Sequence, residues 1–146
     1  MKLNSVQGDL FISSNESSLA HCVSHDFRMG AGIAKIFHNK FGQVDELIAQ
    51  HAGIGDMAVL EDQNDGKPSR YIYYLVTKQR YFHKPTYDSL TQSLEKMCNH
   101  MIENNIQKLS IPKIGCGLDK LKWGRVKKIL SIVFEDTNIE ITVYKL

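Results

Sequence analysis

Two residues of this sequence carry side chains that could act together on a substrate. Lys78 directly follows the run Tyr71-Ile72-Tyr73-Tyr74-Leu75-Val76-Thr77, and Asp119 directly follows Gly115-Cys116-Gly117-Leu118. A lysine in that position has two readings. It is a solvated charge at a strand end, or an amine desolvated by its strand and crowded by Arg80 and Lys84. Desolvation and like charge both favour the neutral, nucleophilic amine near neutral pH. Asp119 is likewise either a cap at the entrance to the C-terminal helix or, opposite an amine, a general base. Cys116 has no His-Asn or His-Asp partner evident in the sequence, so it reads as a small residue tolerated in a tight loop rather than a nucleophile.

The glycines around these residues suggest what is bound. Gly30-Ala31-Gly32 and Gly115-Cys116-Gly117 each set two glycines about one small residue. Such backbone turns sharply and approaches a ligand without a Cβ in the way. N–H groups pointing out of the turn form a cradle for phosphate. Neither loop is a Walker A motif, and position 35 is Lys where Gly-x-Gly-x-x-Gly needs glycine. Each loop alone reads better as a structural turn; two of them after strands in one domain bring a diphosphate site level with that reading. An acid beside a phosphate cradle is out of place as an anion ligand, so Asp119 has a different task.

The elements that must position these residues follow from periodicity. Leu3 to Gln7 is a first strand, ending at Gly8-Asp9, with Leu10-Phe11-Ile12 next and a loop by composition from Ser13 to Ser17. Leu19 to Ser24 reads as a buried strand, with His21 in it a satisfied core histidine rather than a ligand. Ile33, Ile36, Phe37 and Phe41 mark a helix starting near Gly32, and Val44 to Gln50 a second. Met57 to Leu60 and Arg70 to Thr77 are strands joined by Asp62 to Pro68, which has the composition of a hairpin turn. Leu90, Leu94, Met97 and Met101 define a helix that Thr86 caps. Leu109 to Ile114 is the next strand, Trp123 to about Glu135 a helix with Val126, Ile129, Leu130 and Val133 on one face, and Ile139 to Tyr144 a last strand. The fold class is α/β, a largely parallel sheet covered on both faces. Ligands bind such sheets outside the carboxyl ends of the strands, where Gly8-Asp9-Leu10, His25 to Gly32, Lys78 to Lys84 and Gly115 to Asp119 can share one cleft.

Composition narrows the rest. At 146 residues the chain suits a single domain. A formal net charge of +2 is too small to argue for nucleic acid or an anionic membrane as the main partner. The three cysteines, Cys22, Cys98 and Cys116, are far apart and form no Cys-x-x-Cys pair, which reads as reduced thiols inside a cell and offers no zinc site.

Together these residues resemble a macrodomain, the ADP-ribose-binding α/β/α fold. Gly8-Asp9-Leu10-Phe11 looks like the family's segment for the adenosine end, and Ile111-Pro112-Lys113-Ile114-Gly115-Cys116-Gly117 like its second phosphate loop. Most macrodomains carry an Asn-rich strand end and a run of glycines at the distal ribose. Here Ala20 to Ala34 lacks both, so the water-activating mechanism of those enzymes does not carry over. Tyr71 to Lys78, His83-Lys84-Pro85-Thr86-Tyr87, Gly115 to Asp119 and Ile141 to Leu146 resemble instead the divergent branch that contains terminal ADP-ribose protein glycohydrolase.

The resemblance implies a three-layer α/β/α sandwich with a mixed, largely parallel central sheet, one macro domain over 1–146. It implies Lys78 and Asp119 as the catalytic pair, with no metal and no cofactor; Lys84 is a different lysine and takes no catalytic role. Substrate contacts are implied from Asp9, Leu10, Ser24, Met29, Gly30, Ala31, Gly32, Ile33, Thr77, Pro112, Lys113, Ile114, Gly115, Cys116, Gly117, Leu118, Tyr144 and Leu146. The partners expected are ADP-ribose and ADP-ribosylated proteins, with no membrane, for a monomer in the nucleus or cytoplasm, in the setting of the DNA damage response. The activity expected is release of ADP-ribose from ester-linked Glu or Asp, with deacylation of O-acyl-ADP-ribose at the same site. The competing expectation is a non-catalytic reader of ADP-ribose.

Overall fold

The computed structural model describes residues 1–12, 17–63 and 70–145. The hairpin turn and most of the Ser13–Ser17 loop lie outside the described residues, as does Leu146. Six strands, β1 (Lys2–Gln7), β2 (Ser18–Ser24), β3 (Met57–Asp62), β4 (Arg70–Lys78), β5 (Lys108–Ile111) and β6 (Glu140–Lys145), form one sheet in the order β1-β6-β5-β2-β4-β3. Among the described residues four α-helices cover it: α1 (Gly32–Phe41), α2 (Val44–Ala49), α3 (Tyr87–Glu103) and α4 (Trp123–Val133). Every strand pairing is parallel except that of edge strand β3 with β4.

The uninterrupted apolar run of β4 is explained by burial on both faces. Alternate side chains of a strand point to opposite faces. Tyr73 and Leu75 pack against Leu90, Leu94 and Met97 of α3 and Val126 and Leu130 of α4. Ile72, Tyr74 and Val76 pack on the other face, against Phe37 of α1 and Leu47 of α2. The macrodomain-like sandwich expected from the sequence is the architecture observed.

A strand end and a helix cap differ from expectation. β5 ends at Ile111 instead of Ile114, because Pro112 has no N–H to continue the ladder; the N–H of Ile114 turns back to the carbonyl of Pro112 at 2.8 Å. Helix α4 begins at Trp123 with Lys122 at its N-cap, so the capping role considered for Asp119 does not hold. Thr86 does cap α3: its hydroxyl accepts from the N–H of Ser89, and Ser89 Oγ is hydrogen-bonded to the N–H of Thr86. Among the described residues no helix is long and apolar enough to cross a membrane.

His21 is in the core but is not satisfied. Its ring is fully buried, stacked on Phe37 with centroids 3.7 Å apart and set against Tyr74 at 4.8 Å. Neither ring nitrogen has a hydrogen-bond partner among the described residues. Burial pushes the pKa down from 6.5 to about 3. The unfolded chain therefore binds a proton here below about pH 6.5 while the folded chain stays neutral until about pH 3. Stability falls as pH falls through that window, by about 1.4 kcal/mol per pH unit. Urea titrations across the window should show this slope removed in His21→Leu; parallel pH profiles for the two proteins would refute the assignment.

Candidate active site

Because β1, β6, β5, β2 and β4 run parallel, their carboxyl ends open on one side of the sheet. The loops leaving them enclose a cleft of about 1130 Å³. Gly8-Asp9-Leu10 and Tyr144 close one part of it; Gly30 to Ile33 and Pro112 to Asp119 form walls, and Lys78 stands between them.

Lys78 is the last residue of β4, and the ladder is irregular just before it. Val23 pairs with Val76, whereas Ser24 pairs with Lys78, so Thr77 is an extra residue. Such a bulge re-aims the side chain beside it. The carbonyl of Thr77 accepts from Ser89 Oγ at 2.7 Å, and the N–H of His25 donates to the carbonyl of Lys78 at 2.8 Å, fixing the irregular segment from both sides.

Asp119 is positioned by a chain of tight turns. The N–H of Cys116 reaches the carbonyl of Lys113 at 3.2 Å, that of Lys120 the carbonyl of Gly117 at 3.2 Å, and that of Leu121 the carbonyl of Gly115 at 2.7 Å. Gly115 has φ +73, and a Cβ there would stand 2.8 Å from Leu121 Cδ1. On the opposite wall Gly32 has φ +60, and its Cβ would lie 3.2 Å from Leu118 Cδ1, so the two glycine loops close on each other. The chain feeding Gly30 to Gly32 is itself unusual. Phe27 and Met29, both buried, hold φ of 50 and 48, a region that bulky side chains rarely occupy.

These two constructions meet. Lys78 Nζ donates to Asp119 Oδ1 at 2.5 Å, and the side chains are only 12% and 15% exposed. The expected crowding of Lys78 by cations is not its principal contact. Lys84 Nζ donates instead to the carbonyl of Leu118 at 2.9 Å, and the charge of Arg80 acts on Asp26. The thiols are poor rivals as nucleophiles. Burial pushes the Cys22 thiol far up, reinforced by Asp119 and Cys116, and burial also raises Cys116 despite the nearby charge of Lys113.

Of the substrate contacts expected, all but two line the cleft. Leu146 lies outside the described residues, and Thr77 is buried at the bulge, outside the lining. Asp9 is at the cleft, but Oδ1 accepts from the N–H of Phe11 at 2.9 Å and helps hold the short 3-10 turn Leu10–Ile12. Ser24 Oγ donates to Asp26 Oδ1. Lys40, Phe11, Arg28, Tyr81 and Phe82 also line the cleft; the implied contacts did not include them, although all but Lys40 stand in segments expected at the site. Exposed aromatics in the Lys78–Lys84 loop were a usable signal for two of them. Among the described residues no group of three or more His, Cys, Asp or Glu could hold a metal ion.

The Macro domain family matches residues 20–130. This chain belongs to the macro domain family. Strands β1 and β6, outside most of the matched stretch, complete one side of the macro domain sheet. The chain is 52% identical over 145 residues to the human protein named ADP-ribose glycohydrolase OARD1, covering 99% of this chain and 92% of that one; the bovine protein of the same name matches to the same extent. The macrodomain of Thermus aquaticus DarG superposes with a TM-score of 0.84 at 24% identity, covering 99% of this chain and 98% of that structure. Thermosipho africanus DarTG, solved in complex with ADP-ribose, superposes with a TM-score of 0.81 at 20% identity, over 98% of this chain and 41% of that one. At those identities the two structures speak to the macro domain fold alone.

Proposed function

We propose that this macro domain is an ADP-ribose glycohydrolase that releases ADP-ribose from ester-linked Glu or Asp side chains of modified proteins, with Lys78 as nucleophile and Asp119 as acid and base. The observation that carries the reading is the 2.5 Å contact between Lys78 Nζ and Asp119 Oδ1 at the edge of the cleft. The 52% identity to proteins named ADP-ribose glycohydrolase supports both the activity and the ligand.

The diphosphate lies against the N–H groups of Gly30 to Gly32 and Gly115 to Gly117, with the distal ribose toward Lys78. Asp119 takes a proton from the Lys78 ammonium, freeing the amine. The amine attacks C1″; the N–C1″ bond forms as the C1″–O ester bond breaks, and the protein carboxylate leaves with the electron pair. Asp119 passes its proton to solvent and, again a carboxylate, takes one from the water that attacks C1″; the N–C1″ bond breaks and its electron pair returns to Lys78 as the amine. The same steps cleave O-acyl-ADP-ribose where the acyl group is attached at C1″.

The test is ADP-ribose release from a glutamate-modified protein. Tight ADP-ribose binding with no release would replace the hydrolase with a reader of ADP-ribose, in which Lys78 serves only as a charge.

A further inference from the structure

Beside the Lys78–Asp119 pair the cleft is bordered by exposed apolar side chains, of which Tyr81 and Phe82 have no task in the ADP-ribose reading. Tyr81 and Phe82, in the loop after β4, are 50% and 66% exposed; Leu118, beside Asp119, is 65% exposed. All three line the cleft. Large apolar groups grouped at the mouth of a site mark a binding surface.

Their placement is held, not incidental. Asp26 is the common anchor: it accepts from Ser24 Oγ, from the N–H of Arg28 at 3.3 Å and from the N–H of Tyr81 at 3.2 Å. It thereby ties the loop after β2 to the loop after β4. The Arg28 guanidinium lies 4.7 Å from the centre of the Tyr81 ring, and the Tyr81 and Phe82 rings meet edge to face at 5.3 Å. The charge around these rings is one-sided. Arg28, Arg80 and Lys84 are exposed cations, whereas the two carboxylates, Asp26 and Asp119, are engaged in hydrogen bonds or an ion pair.

We propose that this rim, built from Tyr81, Phe82, Leu118, Arg28, Arg80 and Lys84, is the subsite for the polypeptide that carries the scissile ester, and that it selects modified side chains lying in acidic segments. The inference rests on the ester-hydrolase reading, which leaves the carboxylate's own chain to run past Lys78 and Asp119. Aromatic faces give such a chain apolar contact, and unpaired cations attract acidic neighbours. Nucleobases also stack on exposed rings. Three exposed cations on the loops that border the cleft, in a protein of net charge +2, favour a short acidic peptide over a phosphate backbone that needs a basic track.

The test compares kcat/KM for four substrates: O-acetyl-ADP-ribose, a peptide carrying ADP-ribosyl-glutamate between acidic residues, the same peptide with lysines there, and an ADP-ribosylated oligonucleotide. The acidic peptide should exceed the lysine peptide by roughly tenfold at low salt, and the ratio should shrink as salt rises. Phe82→Ala should reduce the acidic peptide more than the small ester, and Arg80→Glu should cancel or invert the peptide preference. Equal rates for the two peptides, or an oligonucleotide faster than the acidic peptide, overturn the subsite while the hydrolase stands. Failure to cleave the small ester and both peptides overturns both readings.

Discussion

Lys78→Ala should release ADP-ribose from a glutamate-modified protein at least about 10³-fold more slowly than the wild type, the scale expected when a nucleophile acting with its base is removed. The adduct trapped by borohydride, which reduces the iminium formed when the lysyl glycosylamine opens, should vanish with it. Binding of ADP-ribose should persist, because the two glycine loops lie elsewhere in the cleft. One structural effect has to be separated from the chemical one. At 12% and 15% exposure the pair is largely withdrawn from water, and deleting one partner leaves the other charge buried, a loss that reaches several kcal/mol in closed sites. Lys78→Arg keeps the positive charge opposite Asp119, but guanidinium does not deprotonate to become a nucleophile. A stable Lys78→Arg protein without activity assigns the loss to chemistry. Native-rate hydrolysis by either variant would end the covalent route.

Asp119→Ala should behave differently in kind. Turnover should fall by about 10² to 10⁴, the range for a positioned acid–base group, yet some lysyl adduct should still form and persist. Lys78 retains its amine and can still attack C1″ without Asp119; the slow step becomes attack by water, for which no base remains. In single-turnover traces the variant should release the protein carboxylate before free ADP-ribose. Wild-type turnover in Asp119→Ala would remove its role as base.

What could be foreseen from residues alone divides along physical lines. The α/β/α fold was legible because helices α1, α3 and α4 carry apolar spacings of three and four while β2 and β4 are nearly continuous apolar runs. The glycine loops were legible because backbone freedom has a residue signature. Lys78 and Asp119 could be singled out by type and position; their contact across 41 residues of sequence could not, since it depends on two loops turning toward each other. Satisfaction of His21 was misjudged for a related reason. A histidine in an apolar strand announces burial, but whether a donor or acceptor faces it is decided by Phe37 and Tyr74 from other elements. The Asp26 anchor was missed because the contact that joins the two loops is to a backbone group, the N–H of the distant Tyr81. Backbone partners leave no mark in the sequence.

The extra residue at Thr77 makes the proposed catalytic centre a matter of parity. Side chains on a strand alternate, so counting one fewer residue after Val76 assigns Lys78 to the opposite face. Deleting Thr77 should carry the amine away from Asp119 while Gly30 to Gly32 and Gly115 to Gly117 still form their loops, giving a protein that takes up ADP-ribose and yields no borohydride-trapped adduct. Catalyst and passive receptor are then adjacent in sequence space, one codon apart, on the same scaffold.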